Sequence, residues 1–196
     1  MKRLLSLLLT FLLAGAPAFA SSFADITIKP TSTRTYSVST AAFTTAASAT
    51  DIATLSGNAS NTAQLLACYV TIQPTVASAQ CTYFLTKRSS ANSGGTSTTD
   101  TGIPQDSADS ACVSVARKYT ANPTPGTLVG NVATYALYSS PYFAIGQPVT
   151  IPLYVANPLA KPITLRGTAE SICVNQNGVT NNVSTTAQIT WVWSEQ

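Results

Sequence analysis

Ten short segments rich in Val, Thr, Ile and aromatic residues, separated by turn-forming pairs, constrain this chain more than any other feature. They are Thr35–Ser39, Asp51–Ser56, Gln64–Gln73, Gln80–Lys87, Cys112–Tyr119, Leu128–Ser139, Val149–Tyr154, Ile163–Arg166, Ala169–Asn175 and Ser184–Ser194. Between them stand Gly57-Asn58, Asn92-Ser93-Gly94-Gly95, Asn122-Pro123, Asn157-Pro158 and Asn177-Gly178. β-branched and aromatic side chains suit a pleated, half-buried surface, and Asn, Gly and Pro supply the backbone angles of turns. Stripes of Leu, Glu and Lys at helical spacing are missing after residue 20. Many strands at short spacing predict an all-β fold, a jelly-roll-like antiparallel β-sandwich.

The first twenty residues read differently. Lys2 and Arg3 precede an apolar run, Leu4 to Leu13, broken only by Ser6 and Thr10. Ala18 and Ala20 are the small residues a signal peptidase requires, so the expected product begins at Ser21. The run is shorter than the roughly 20 apolar residues that span a bilayer. We therefore expect a signal peptide at 1–20, an N-terminal extension at 21–34 and a single sandwich domain at 35–196. The protein is expected to be exported to the periplasm, the cell surface or the medium, with no membrane span after signal removal. Setting aside Lys2 and Arg3 leaves eight basic and seven acidic residues, a balance that gives no field for nucleic acid or anionic lipid. Charged residues make up 9% of the chain against the usual quarter or so.

Histidine is absent throughout the sequence, which removes Ser-His and Cys-His nucleophile pairs and most zinc sites. No metal or cofactor is expected. Calcium held by Asp100, Asp106 and Asp109 is possible in principle, but the spacing matches no EF-hand or repeat-toxin pattern. The four cysteines, Cys68, Cys81, Cys112 and Cys173, are even in number in an exported chain and predict two disulfides. If Leu65–Leu85 is a hairpin across Pro74-Thr75, Cys68 faces Cys81, and Cys112 pairs with Cys173 by elimination; four cysteines allow three pairings. A second hairpin is expected from Leu165 to Trp193 around Asn177-Gly178. Its last strand aligns Ile189, Trp191 and Trp193 on one face, for core packing or, alternatively, with Trp191 and Trp193 stacking on a sugar.

Ser89–Asp109, nearly all Ser, Thr, Asn, Gly and Asp, reads as a long surface loop. Lys87-Arg88 and Arg117-Lys118 read as strand ends in solvent. Asn58-Ala59-Ser60 and Asn182-Val183-Ser184 match the glycosylation sequon. Glu170 and Glu195 are too far apart to flag a glycosidase pair, and Glu195 reads as part of a fraying tail. No catalytic residue is therefore expected.

Several strings together resemble a known family. They are Ser48-Ala49-Thr50-Asp51-Ile52, Leu55-Ser56-Gly57, Leu85-Thr86-Lys87-Arg88-Ser89-Ser90-Ala91-Asn92-Ser93-Gly94-Gly95-Thr96-Ser97, Pro104-Gln105-Asp106-Ser107, Tyr119-Thr120-Ala121-Asn122-Pro123-Thr124, Gly126-Thr127-Leu128-Val129-Gly130, Leu165-Arg166-Gly167-Thr168-Ala169-Glu170 and Asn175-Gln176-Asn177-Gly178. In this order they look like a small β-sandwich family from tailed-bacteriophage and prophage structural gene clusters and their bacterial relatives. The resemblance covers roughly Tyr36 to Glu195. It implies a structural role and transfers no enzymatic residue. The leader and the cysteines depart from the family pattern, which favours a domain put to use outside the cytoplasm over a virion subunit.

These observations lead us to expect an exported, non-enzymatic structural or interaction protein. Its partners would be copies of itself (trimers, by fold analogy) or a surface glycan or protein, and not nucleic acid. The alternative is a carbohydrate-binding module with exposed aromatics, Trp191, Trp193 or tyrosines such as Tyr135, Tyr138 and Tyr142.

Overall fold

The computed structural model describes residues 33–44, 49–74, 80–138, 147–176 and 185–196. The leader at 1–20, residues 21–32 of the extension, Thr75, Tyr142, Asn177-Gly178 and the Asn182 sequon lie outside the described residues, as do the side chains of Cys81 and Tyr138. Thirteen strands follow in order: β1 (Arg34–Ser39), β2 (Phe43–Thr44), β3 (Thr50–Ser56), β4 (Ala63–Pro74), β5 (Gln80–Arg88), β6 (Thr96–Asp100), β7 (Ile103–Pro104), β8 (Val115–Ala121), β9 (Leu128–Tyr138), β10 (Val149–Val155), β11 (Ile163–Leu165), β12 (Ser171–Gln176) and β13 (Thr185–Glu195). They form two antiparallel sheets. The first runs β10-β4-β13-β1-β7, with β11 also on β4 and β2 also on β13; the second runs β6-β8-β3-β12-β5-β9. The two sheets pack as an all-β sandwich.

Alternation explains the core. Along β13, Ala187, Ile189, Trp191 and Trp193 are buried, while Gln188 is exposed. Side chains on a strand point to opposite faces in turn, so one face supplies the filling. Val70 and Ile72 of β4 join it from the same sheet, and Leu55, Leu85, Ile172 and Val174 meet it from the other. Trp193 stacks on Tyr36 across β13 and β1, with ring centroids 5.7 Å apart. Aromatic burial of this kind contributes strongly to a core.

All ten expected segments hold strands, displaced at their ends by a few residues at most. The pairings differ. Neither expected hairpin forms, because β4 and β5 lie in different sheets, and so do β12 and β13. Both sides of β4 are already taken, by β13 on one and by β10 and β11 on the other. The polar stretch expected as a loop holds β6 and β7. The β6 strand is an edge, pairing only with β8, and four of its five residues are exposed. An edge strand outside the core needs no apolar side chains.

Candidate functional site

On β12, Ile172 and Val174 face the core, so Ser171, Cys173 and Asn175 face the outside of the second sheet. That outer face is nonetheless covered near Asp51, which is 0% exposed. The cover is made by two loops, 89–95 and 122–127. Ser93 and Thr124 exchange backbone hydrogen bonds, and Ser89 N donates to Thr127 O at 3.0 Å. The amide of Gly126 donates to Asn92 Oδ1 at 2.8 Å. Gly126 is required by closeness: a Cβ there would overlap the Ser90 carbonyl.

Beneath this cover, Asp51 accepts four hydrogen bonds. Arg88 donates through Nε to Oδ2 at 2.5 Å and through Nη2 to Oδ1 at 2.8 Å. Asn92 donates to Oδ2 at 2.9 Å and Asn175 to Oδ1 at 2.7 Å. The third guanidinium nitrogen of Arg88, Nη1, donates to Gly126 O at 2.8 Å. Bidentate, charge-assisted pairing of this kind is the strong form of a protein hydrogen bond. Burial alone would lower the Arg88 pKa, and the adjoining Asp51 carboxylate more than reverses this. Four segments far apart in sequence converge here, contributing Asp51, Arg88 with Asn92, Gly126, and Asn175.

Beside this cluster a cleft of about 260 Å³ opens between β3 and β8. It is lined by Thr44, Thr50, Asp51, Ile52, Tyr119, Thr120 and Asn122. Thr50 is 3% exposed, and among the described residues its hydroxyl has no hydrogen-bond partner.

A second buried carboxylate ties β13 to the start of β8. Glu195 is 2% exposed. Its oxygens accept from Ser114 N at 2.8 Å, Val113 N at 3.1 Å, Trp193 Nε1 at 3.1 Å and Asn61 Nδ2 at 3.3 Å. Burial by itself raises its pKa, but the Ser114, Trp193 and Val113 donors together hold it below the usual glutamate range. The expected fraying tail is therefore a locked strand end. The signal was legible in part, because Glu195 continues the alternation of Trp191 and Trp193.

The sequence-predicted residues fall as follows. Trp191 and Trp193 are both 0% exposed, so neither offers a face to a sugar. Tyr135 is 39% exposed on β9. Cys68, Cys112 and Cys173 are free thiols, which corrects the expected disulfides. Without the β4–β5 hairpin, Cys68 and Cys81 are not cross-strand neighbours: Cys68 faces Trp191 within the first sheet, and Cys81 sits on β5 of the second. Cys173 is buried beside Ser171 on the outer side of β12, whereas Cys112 donates to Gly102 O. Burial pushes the Cys68 and Cys173 thiols far up.

The basic pairs are also placed differently from expectation. Arg88 is buried on Asp51, Lys118 lies 3.5 Å from Asp100 and is largely buried, and Lys87 bridges to Thr164 O and Glu170. Asp106 caps its own turn by accepting from Ala108 N, so Asp100, Asp106 and Asp109 are not brought together as ligands; among the described residues no group of three or more potential ligands converges on a metal position. Asn58 is 6% exposed, and its amide donates to Ser114 Oγ while its oxygen accepts from Ser60 N and Asn61 N. That engagement withdraws it as a glycosylation acceptor.

Comparison with family models, with curated proteins and with solved structures returns no match.

Proposed function

We propose that this chain is an exported, non-enzymatic β-sandwich that works by surface contact, pairing with a second copy of itself through β9. The carrying observation is the character of that strand. Among the described residues β9 is an edge of the second sheet, and it runs for eleven residues without one charged side chain. Leu128, Val129, Val132 and Tyr135 are exposed along it by 39–59%. Edge strands in monomers are usually guarded by charge, Pro or bulges. Here the register shifts against β5 lie at the β9 start, around Val129 and Val132, and the pairing from Ala133 to Tyr138 is regular. That stretch can accept another strand.

The occupant is argued from charge. An antiparallel pairing of two β9 strands places the same neutral sequence on both sides, so no like charges oppose one another. Such a pair is two-fold, not the trimer suggested by analogy. The resemblance to phage structural proteins and the 9% charged content support an assembling role. Export rests on the leader-like residues 1–20. Cys68 and Cys173 fit an exported chain as buried, protonated thiols, because the thiolate is the reactive form.

Light scattering coupled to size exclusion tests the reading. A dimer is expected, and Thr134→Lys with Ala136→Lys on β9 should return it to monomer without changing the far-UV spectrum. A wild type that stays monomeric at high micromolar concentration, or a dimer untouched by both lysines, refutes it.

A further inference from the structure

We propose that the cleft between β3 and β8 binds one neutral, hydroxyl-bearing ring, a single pyranose unit of a glycan. This is independent of pairing through β9.

Size sets the first limit. At about 260 Å³ the cleft lies just under the range of pockets that take drug-sized ligands, roughly 300–1,000 Å³, and suits one ring with the rest of a chain outside. Charge sets the second. Asp51 is the one carboxylate in the lining, its four acceptor sites are filled from within the protein, and Arg88 neutralises it. A cation meets the guanidinium behind Asp51, and an anion meets the carboxylate, so neither is favoured over a neutral ligand.

Hydrogen-bonding chemistry sets the third. Thr44 and Thr50 supply hydroxyls that can donate and accept, and the Thr120 hydroxyl, which donates to Thr96 O, can still accept. Sugar hydroxyls both donate and accept. The buried Thr50 hydroxyl lacks a partner among the described residues, and leaving such a group unsatisfied costs about 1–3 kcal/mol. A ligand hydroxyl in the cleft would satisfy it. Tyr119, half-buried at the cleft, adds the apolar surface that the C–H face of a pyranose requires. Burial of Trp191 and Trp193 removes them as sugar platforms, and the cleft is a separate carbohydrate reading carried by other residues.

Saturation-transfer NMR on the full chain tests this with the methyl glycosides of glucose, galactose, mannose and N-acetylglucosamine, and with glucuronate and glucosamine as charged controls. At least one neutral glycoside should bind. Thr50→Val, which keeps the side-chain shape and removes the hydroxyl, should weaken binding about tenfold or more at unchanged Tm. Thr44→Val, at an exposed position, repeats the test if Thr50→Val unfolds the chain. The proposal is overturned if no neutral glycoside binds, if only the charged sugars do, or if binding survives the folded Val variant unaltered. A monomeric protein that still binds a glycoside would sink the β9 reading and leave this one standing.

Discussion

Replacing Asp51 with Ala should be the most damaging single change on the outer side of the second sheet. It strips Arg88 of two charge-assisted hydrogen bonds and leaves the Asn92 and Asn175 amides without their acceptor. Taken singly, charge-assisted bonds contribute about 1.5–3 kcal/mol each and neutral ones about 0.5–1.5. Their sum overshoots, since bonds that share one carboxylate are lost together. Removing one partner of a buried ion pair costs about 3–5 kcal/mol, and we take about 4 kcal/mol as the expected loss. That is a large part of the roughly 5–15 kcal/mol that holds a domain folded.

Urea unfolding followed by tryptophan fluorescence reads this directly, because Trp191 and Trp193 are fully buried. With a slope of about 2 kcal/mol per molar urea, the midpoint should fall by about 2 M. The control is the pair Asp51→Leu with Arg88→Met. Replacing both ions by apolar groups leaves no unpaired charge, so the double variant should recover much of the loss. A midpoint shift in Asp51→Ala below about 0.5 M, or about 1 kcal/mol, would show that the cluster is solvated and that its burial does not matter.

Three further outcomes are expected. Glu195 has a folded pKa below its unfolded value, so its stabilisation is full above the ordinary glutamate pKa of about 4.3 and is lost as pH falls through the folded pKa. Glu195→Gln should therefore be less stable at neutral pH and lose less stability on acidification, as thermal unfolding between pH 7 and pH 3 would show; parallel curves for the two proteins would refute it. Gly102→Ala should cost about 1–3 kcal/mol in urea, since its Cβ would stand 2.7 Å from Cys112 Sγ and closer still to the Trp193 ring. Iodoacetamide on the native protein should modify Cys112 well before Cys68 and Cys173, which become reactive only in denaturant; mass spectrometry of the peptides would reveal any other order.

The strands were legible in the sequence and their partners were not. Period-2 alternation says which residues of 185–195 face the core, and it holds for Ile189, Trp191 and Trp193. It says nothing about which strand lies alongside. Chain proximity suggested β4 with β5 and β12 with β13, yet each pair is split between sheets. The β6 strand was hidden because Thr96–Asp100 sits on an edge, where apolar patterning is not needed. The Asp51 cluster was hidden for a different reason. Its members are separated by as many as 124 positions and meet only when two loops close over the sheet. The turn signals Asn92-Ser93-Gly94-Gly95 and Asn122-Pro123 marked those loops, but only as turns. Their roles as donor and cover depend on tertiary contact.

The low charge content and the two buried carboxylates have one physical explanation. A neutral surface has few ion pairs to hold its loops, and short Ser, Thr and Asn side chains fasten weakly. Asp51 draws together β3, β5, β12 and the loop after β5, with Arg88 extending the hold to the loop before β9. Glu195 fastens the end of β13 to the backbone at the start of β8 and to Asn61. In both places the charge is shielded from solvent, so its hydrogen bonds are stronger than they would be on the surface. The β9 edge takes no part in either cluster and carries no charged side chain. On the proposed reading, that uncharged edge is what a second copy would meet without like-charge repulsion. The two properties should therefore separate under mutation: Lys at 134 and 136 should abolish pairing and leave the urea midpoint unchanged, whereas Asp51→Ala should lower the midpoint with no direct effect on β9. Loss of pairing in Asp51→Ala under conditions where it remains folded would show instead that the loop cover shapes the edge.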